Sequence, residues 1–231
     1  MIRPVLIDLF CKAGGAAEGY YRAGFDVIGV DIDPQPNYPR HCQFVQADVW
    51  ALTPQFFMGA DAVHASPECQ GYTSMRHAKG AKGRPREIGR TRAMLAALGL
   101  PYVIENVEQA KVDMIEPIRL CGSMFGLGAQ GHYLERHRLF ESNLAISAPG
   151  PCAHKKPVIG VYGGHARNRA AKRGGRGTRD VWEGGHNAAA SQALGIDWMT
   201  LDELSEAIPP AFTEHLGHQL LAHIQAQRSA A

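Results

Sequence analysis

Four short segments carry side chains able to do chemistry. Ser66-Pro-Glu-Cys-Gln70 sets a thiol, Cys69, between polar residues just after an apolar run at 60–65. A lone cysteine is more often a small buried hydrophobe, but a thiolate at a strand end is a nucleophile. Glu105-Asn106-Val107 follows a second apolar run at 101–104. A carboxyl there suits acid–base work, or an ordinary cap or ion pair. Arg136-His-Arg138-Leu-Phe140 adds two guanidinium groups on what is otherwise a surface basic strand. Asp8-Leu-Phe-Cys-Lys-Ala-Gly-Gly15 lies between a strand-like run and a helix. Glycines in such a turn let the backbone and helix N–H groups approach a bound ligand. Asp31 ends the next apolar run, where a carboxylate can accept both ribose hydroxyls of an adenosine ligand. Asp48 closes the run after that and can accept from an adenine amino group; each Asp can also be a plain helix N-cap.

These segments need a scaffold, and the pattern supplies one. Apolar runs at 5–10, 25–30, 43–46, 60–65 and 101–104 alternate with helical stretches at 16–23 and 90–98. Such alternation indicates a parallel α/β sheet, in which ligands bind outside the carboxyl ends of the strands. From residue 142 to about 200 the chain becomes rich in Gly, Ala, His and Arg, with weak periodicity. This predicts a small, loop-rich lobe. A helix-like segment at 201–207, Ile208-Pro-Pro210 and an amphipathic helix over 212–227 follow. The expected division is a main domain over 1–141, the lobe over 142–200, and a C-terminal segment over 201–231 that completes the main domain.

The chain has 231 residues, 45% hydrophobic and 20% charged, as in ordinary globular proteins. It has no apolar run of membrane-spanning length and no secretory signal. Five scattered cysteines, an odd number, argue against a disulfide framework and for a reducing compartment. The net charge is +2, but Arg76, Lys79, Lys82, Arg84, Arg86, Arg90 and Arg92 face one acid, Glu87. A second basic stretch holds Arg167, Arg169, Lys172, Arg173, Arg176 and Arg179. Such clusters either neutralise phosphates or are solvated loops. Cys152-x-His154 with His165 is the best metal-like grouping. It lacks a second close pair, so no metal site is expected. His132, His137 and His186 are expected at the surface or facing DNA.

Taken in order, DLF-x-x-x-GG, the two strand-end acids, S-P-E-C-Q, E-N-V, R-x-R and A-I-P-P resemble the DNA (cytosine-5)-methyltransferases, especially short phage-like forms. The resemblance spans about residues 5–140 and 207–220. It implies a Rossmann-like, seven-stranded, mostly parallel S-adenosylmethionine-dependent methyltransferase sheet with a small target-recognition lobe. It implies methyl transfer to carbon 5 of a flipped-out cytosine in DNA through a Cys69–C6 intermediate. Glu105 would hold the ring at N3 and the amine, Arg136 would contact O2, and Arg138 would support Cys69. Phe10, Lys12, Gly14, Gly15, Asp31, Ile32, Asp48, Val49 and Pro67 would hold S-adenosylmethionine, with the last helix near Gly217 closing the pocket. Arg76, Lys79, Lys82, Arg84, Arg86, Arg167 and Arg169 would contact DNA. The implied protein is a monomer in the cytoplasm of a bacterial or phage-infected cell. The same motifs also fit a tRNA cytosine-5 methyltransferase or a catalytically impaired DNA-binding relative.

The chain departs from the family pattern at four places. Lys12 stands where a glycine is usual, either reaching the methionine carboxylate or narrowing the pocket. Glu68 replaces a proline and should raise the Cys69 thiol pKa. Leu134 replaces a glutamine, and His218 replaces an asparagine. The short lobe predicts a short or relaxed target sequence.

Overall fold

The computed structural model describes residues 2–72, 85–154, 157–163 and 182–230. In chain order the strands are β1 (Val5–Leu9), β2 (Asp26–Asp31), β3 (Gln43–Gln46), β4 (Ala62–Ala65), β5 (Tyr102–Asn106), β6 (Ile118–Cys121), β7 (Gly128–Ala129), β8 (His132–Leu134), β9 (His137–Ser142) and β10 (Val158–Ile159). The helices are α1 (Gly15–Ala23), α2 (Ile88–Leu98), α3 (Gly185–Leu194), α4 (Leu201–Glu206) and α5 (Pro210–Ala230).

Seven strands form the main sheet in the order β3-β2-β1-β4-β5-β9-β6. β3 through β5 pair in parallel, whereas β9 runs antiparallel to both neighbours. The sheet is therefore the mostly parallel, seven-stranded one that the family resemblance implies. Its strands alternate between two apolar faces, as buried strands must. Leu6, Val27, Val103 and Phe140 pack under α1 and α5; Ile7, Leu9, Val63 and Ile104 pack with Ile88 and Leu95 of α2. Pro210 opens α5 at the position where its missing N–H is harmless. Thr213 Oγ1 then donates to the Ala16 carbonyl at 2.9 Å and pins α5 to α1.

β1 lies between β2 and β4, so the chain winds outward from it in both directions. That reversal opens a crevice at the carboxyl ends of β1 and β4.

A second sheet, β10-β8-β7, packs with α3 and α4 around Ala129, Leu134, Ile159, Ala190, Leu194 and Leu204. This small core draws chain from both sides of residue 142. It is tied to the main sheet by Trp198 Nε1, which donates to the Ala13 carbonyl at 3.1 Å, and by Arg136. Among the described residues no helix is long and apolar enough to cross a membrane.

Candidate active site

One cleft of about 730 Å³ occupies the crevice. Every parallel strand delivers a polar residue to it, at or just past its end: Asp8 from β1, Asp31 from β2, Asp48 after β3, Ser66, Glu68 and Cys69 after β4, and Glu105 from β5; Phe10, just after β1, adds an apolar surface. The opposite wall is Met199, Asp202, Glu203, Ser205, Glu206, Ala207 and Ile208. That wall is fixed by a capping box, in which Thr200 and Glu203 satisfy each other's backbone N–H. Asn37 Nδ2 donates to both Glu203 carboxylate oxygens, at 3.1 and 3.0 Å, and joins the two walls.

The turn after β1 is tight. Phe10 (φ 58°) and Lys12 (φ 46°) both adopt left-handed backbone, and Gly14 does so at φ 81°. A glycine at position 12 would carry that conformation without strain. The Lys12 amide donates to Asp31 Oδ2 at 3.0 Å, and its Nζ lies 3.9 Å from Asp33. The side chain thus sits over the strand-end carboxylates. Asp31 also accepts from the Asp33 amide at 3.0 Å, so its carboxylate is oriented from two sides. Ile32 is 61% exposed and lines the cleft beside Trp50, whose ring lies 5.7 Å from that of Phe10. Asp48 caps a short 3-10 turn by accepting from the Trp50 amide at 2.9 Å, and Val49 is buried behind it.

Three placements differ from the sequence expectation. Gly14 does not line the cleft; a Cβ there would strike Pro39 at 2.4 Å, so its task is packing. Gly15 does line it and lies against the Ile208 carbonyl. Gly217 packs on Ala23 and Tyr20 in the core, and residues 199–208 close the cleft in its place. The third concerns the two arginines. Arg136 is buried, with Nη1 donating to the Val161 carbonyl at 3.0 Å and Nη2 to that of Ser205 at 2.9 Å. It is absent from the cleft lining. Arg138 lines the cleft, and its Nε lies 2.9 Å from Glu105 Oε1. Arg136 lies just before β9 and Arg138 is its second residue. Their difference lies in which partners the side chains find.

Cys69 is half-buried at the cleft, and burial, then the negative charges of Glu105 and Glu68, push its thiol up to about 11. Arg138 opposes that shift. Burial raises the Glu105 pKa, with Arg138 and then Arg136 pulling it back. The loop is braced from below: Asn106 Nδ2 donates to the Pro67 carbonyl at 2.9 Å, and Gln70 N to Glu68 Oε1 at 3.0 Å.

A buried chain that the sequence did not reveal runs beside it. Tyr20 OH bonds His64 Nδ1 at 3.0 Å, and His64 Nε2 bonds Ser66 Oγ at 2.8 Å. Burial lowers the His64 pKa to about 3, so this ring is neutral. Beneath the cleft, burial and the charges of Asp31 and Glu105 raise the Asp8 pKa well above the usual carboxylate range.

Of the expected DNA contacts, Arg76, Lys79, Lys82, Arg84, Arg167 and Arg169 lie outside the described residues. Arg86 lies 3.8 Å from Asp113 and over the Tyr72 ring, Arg90 lies over Trp50, and Arg92 is bonded to Glu141. The C-terminal part of that basic run therefore has internal partners. The expected absence of a metal grouping also changes: Cys121, His137, Cys152 and His154 converge. His137 faces this cluster and not a DNA surface.

No protein-family profile matches the chain. A type II methyltransferase, M1.HphI of Haemophilus parahaemolyticus, is 35% identical over 80 residues, a match covering 29% of this chain and 21% of that protein. Similar solved structures include an E. coli prophage-encoded protein assigned as a DNA modification methyltransferase (TM-score 0.59, 15% identity, 96% of this chain and 99% of that one). The S. pombe Dnmt2 methyltransferase (0.58, 12%, 96% and 99%) and the Entamoeba histolytica methyltransferase EhMeth (0.61, 13%, 97% and 99%) are others. The solved structures show that this chain has a methyltransferase fold, and an 80-residue segment of it is similar in sequence to part of a type II methyltransferase.

Proposed function

We propose that this chain transfers a methyl group from S-adenosylmethionine to carbon 5 of cytosine in DNA, with Cys69 as a covalent nucleophile. The observation that carries the reading is a single cleft with Cys69, Glu105 and Arg138 on one part of its lining and Asp31, Ile32 and Trp50 on another. The relatives' descriptions as methyltransferases, two of them naming DNA modification or a type II system, support it.

Carbon 5 of cytosine is a poor nucleophile. Addition of the Cys69 thiolate to carbon 6 forms a C–S bond and moves the C5–C6 electron pair onto carbon 5. Glu105, whose pKa burial raises, hydrogen-bonds the N3 edge and offsets the charge that addition creates. Arg138 faces the same end of the cleft and favours the thiolate. Methylation at carbon 5 is followed by loss of its proton to a water-borne base, and the returning electron pair expels the Cys69 thiolate. The target atom is inaccessible in a duplex, so the base must leave the stack.

The residues at the other end fit S-adenosylmethionine, which when bound supplies an electrophilic methyl group on a sulfonium. Asp31, oriented by two backbone amides, is a ribose acceptor. Ile32 and Trp50 give the adenine apolar surfaces, and the α1 N-terminus at Gly15 and Ala16 suits the methionine carboxylate. The basic residues at 76–84 and 167–169 remain the proposed phosphate contacts.

A DNA oligonucleotide bearing 5-fluorocytosine tests the mechanism, because fluorine at carbon 5 cannot be lost as the proton is. A denaturant-stable adduct is expected with S-adenosylmethionine present, and none with Cys69→Ser. An adduct with substituted tRNA and not with DNA would move the substrate to RNA. No adduct with either would overturn the proposal.

A further inference from the structure

We propose that Cys121, His137, Cys152 and His154 form a structural zinc site at the antiparallel edge of the main sheet, outside the cleft. Cys121 ends β6 and His137 opens β9, and the two are direct partners in the strand register. Cys152 and His154 lie two positions apart on the chain that returns after β9. Their ligand atoms all lie within 4.8 Å of one another.

Three of the separations lie near the edges of a tetrahedron around one ion. Zn–N and Zn–S bonds of about 2.0–2.1 and 2.3 Å give tetrahedral edges of about 3.3 Å between nitrogens and about 3.5 Å between nitrogen and sulfur. Here His137 Nε2 and His154 Nε2 are 3.0 Å apart, Cys121 Sγ and His154 Nε2 3.2 Å, and Cys152 Sγ and His137 Nε2 3.7 Å. Two thiolates and two imidazoles are the donor set that zinc takes in closed structural sites. A second shell is present as well. His137 Nδ1 lies 3.1 Å from Glu108 Oε2, the carboxylate–histidine arrangement that turns the other ring nitrogen toward a metal as a lone pair. All four ligands lie outside the cleft lining.

The ion would clamp the chain around residues 152–154 to the β6–β9 hairpin. His137 immediately precedes Arg138, so the clamp also anchors the strand start that aims Arg138 at Glu105.

The test uses the full chain, purified under reducing conditions without chelator. Elemental analysis should find about one zinc per chain. Exchange to Co2+ should give the d–d bands of a tetrahedral site and thiolate charge-transfer bands. Zinc should be retained in Cys42→Ser and lost in Cys121→Ser/Cys152→Ser. If the double variant does not fold, the Co2+ spectrum of the unaltered chain decides alone. Absence of both zinc and tetrahedral Co2+ bands would overturn the site. So would undiminished zinc in a folded double variant, or a Cys121–Cys152 disulfide in the reduced preparation.

Discussion

The parallel half of the main sheet, β3 to β5, and its antiparallel edge, β9 and β6, place reactive side chains in different ways. In the parallel half each strand ends at the same rim, so residues from five separate loops meet in one cleft. On the antiparallel edge, reactive groups are brought together by pairing and by chain return: Cys121 opposite His137, and Glu141 of β9 beside Arg92 of α2. The first arrangement leaves side chains facing a cavity. The second leaves them facing each other. The parallel half accordingly carries most of the proposed reacting groups, and the edge holds them in position.

Arg138 is where the two arrangements meet, and it offers the largest effect. Arg138→Ala should lower methyl transfer by on the order of 10²–10³-fold, far more than the accompanying loss of stability from an unpaired Glu105 would explain. Its removal also withdraws the charge that opposes the Cys69 shift, so the activity profile should move to higher pH. A large fall in Tm with kcat unchanged would assign Arg138 to the anchoring edge. Arg92→Ala probes the reverse. It strips a buried carboxylate, Glu141, of its partner and also removes the bond to the Asp113 carbonyl. Loss of about 3 kcal/mol in denaturant unfolding is expected, with kcat largely kept in the folded fraction.

A smaller effect reads the cleft through pH. The Cys69 thiol is raised to about 11, so its thiolate is scarce at neutrality. Alkylation of Cys69 by iodoacetamide should rise about tenfold per pH unit from 7 to 10. Glu68→Gln should move the midpoint down, since removing a nearby negative charge favours the thiolate. A midpoint at the ordinary cysteine value would show that the cleft does not desolvate this thiol. The smallest effect concerns the β1 turn. Lys12→Gly relieves left-handed strain and forfeits an exposed ion pair of little worth, so a gain of about 1 kcal/mol is expected. Weaker S-adenosylmethionine binding in the same variant would show that Lys12 also serves the ligand.

The same contrast explains what the sequence could tell. Cys69, Glu105, Asp31 and the Gly14-Gly15 turn were legible because each lies within a few residues of a strand end, and strand ends are readable from apolar runs. The arginine assignment was not: the candidates are two residues apart at the start of β9, and only the carbonyls of Val161 and Ser205 decide which is consumed. The Cys121–His137 pair was hidden by the hairpin between its members, and Cys152-x-His154 alone carries too few ligands to signal a metal. Asp8 and His64 sit inside apolar strands, where a polar residue gives no sign of its partners.

Arg136 has a further consequence, for chimera construction. Its two terminal guanidinium nitrogens donate to main-chain carbonyls, one from the small lobe and one from α4. A main-chain acceptor constrains the path of a segment while leaving its side chains free. A foreign segment spliced into residues 142–200 must therefore bring a carbonyl to the position of Val161's, besides rebuilding the small core around Ile159, Ala190 and Leu194. A segment that takes another route would strand a cation in the interior, and the chimera would fail at that joint.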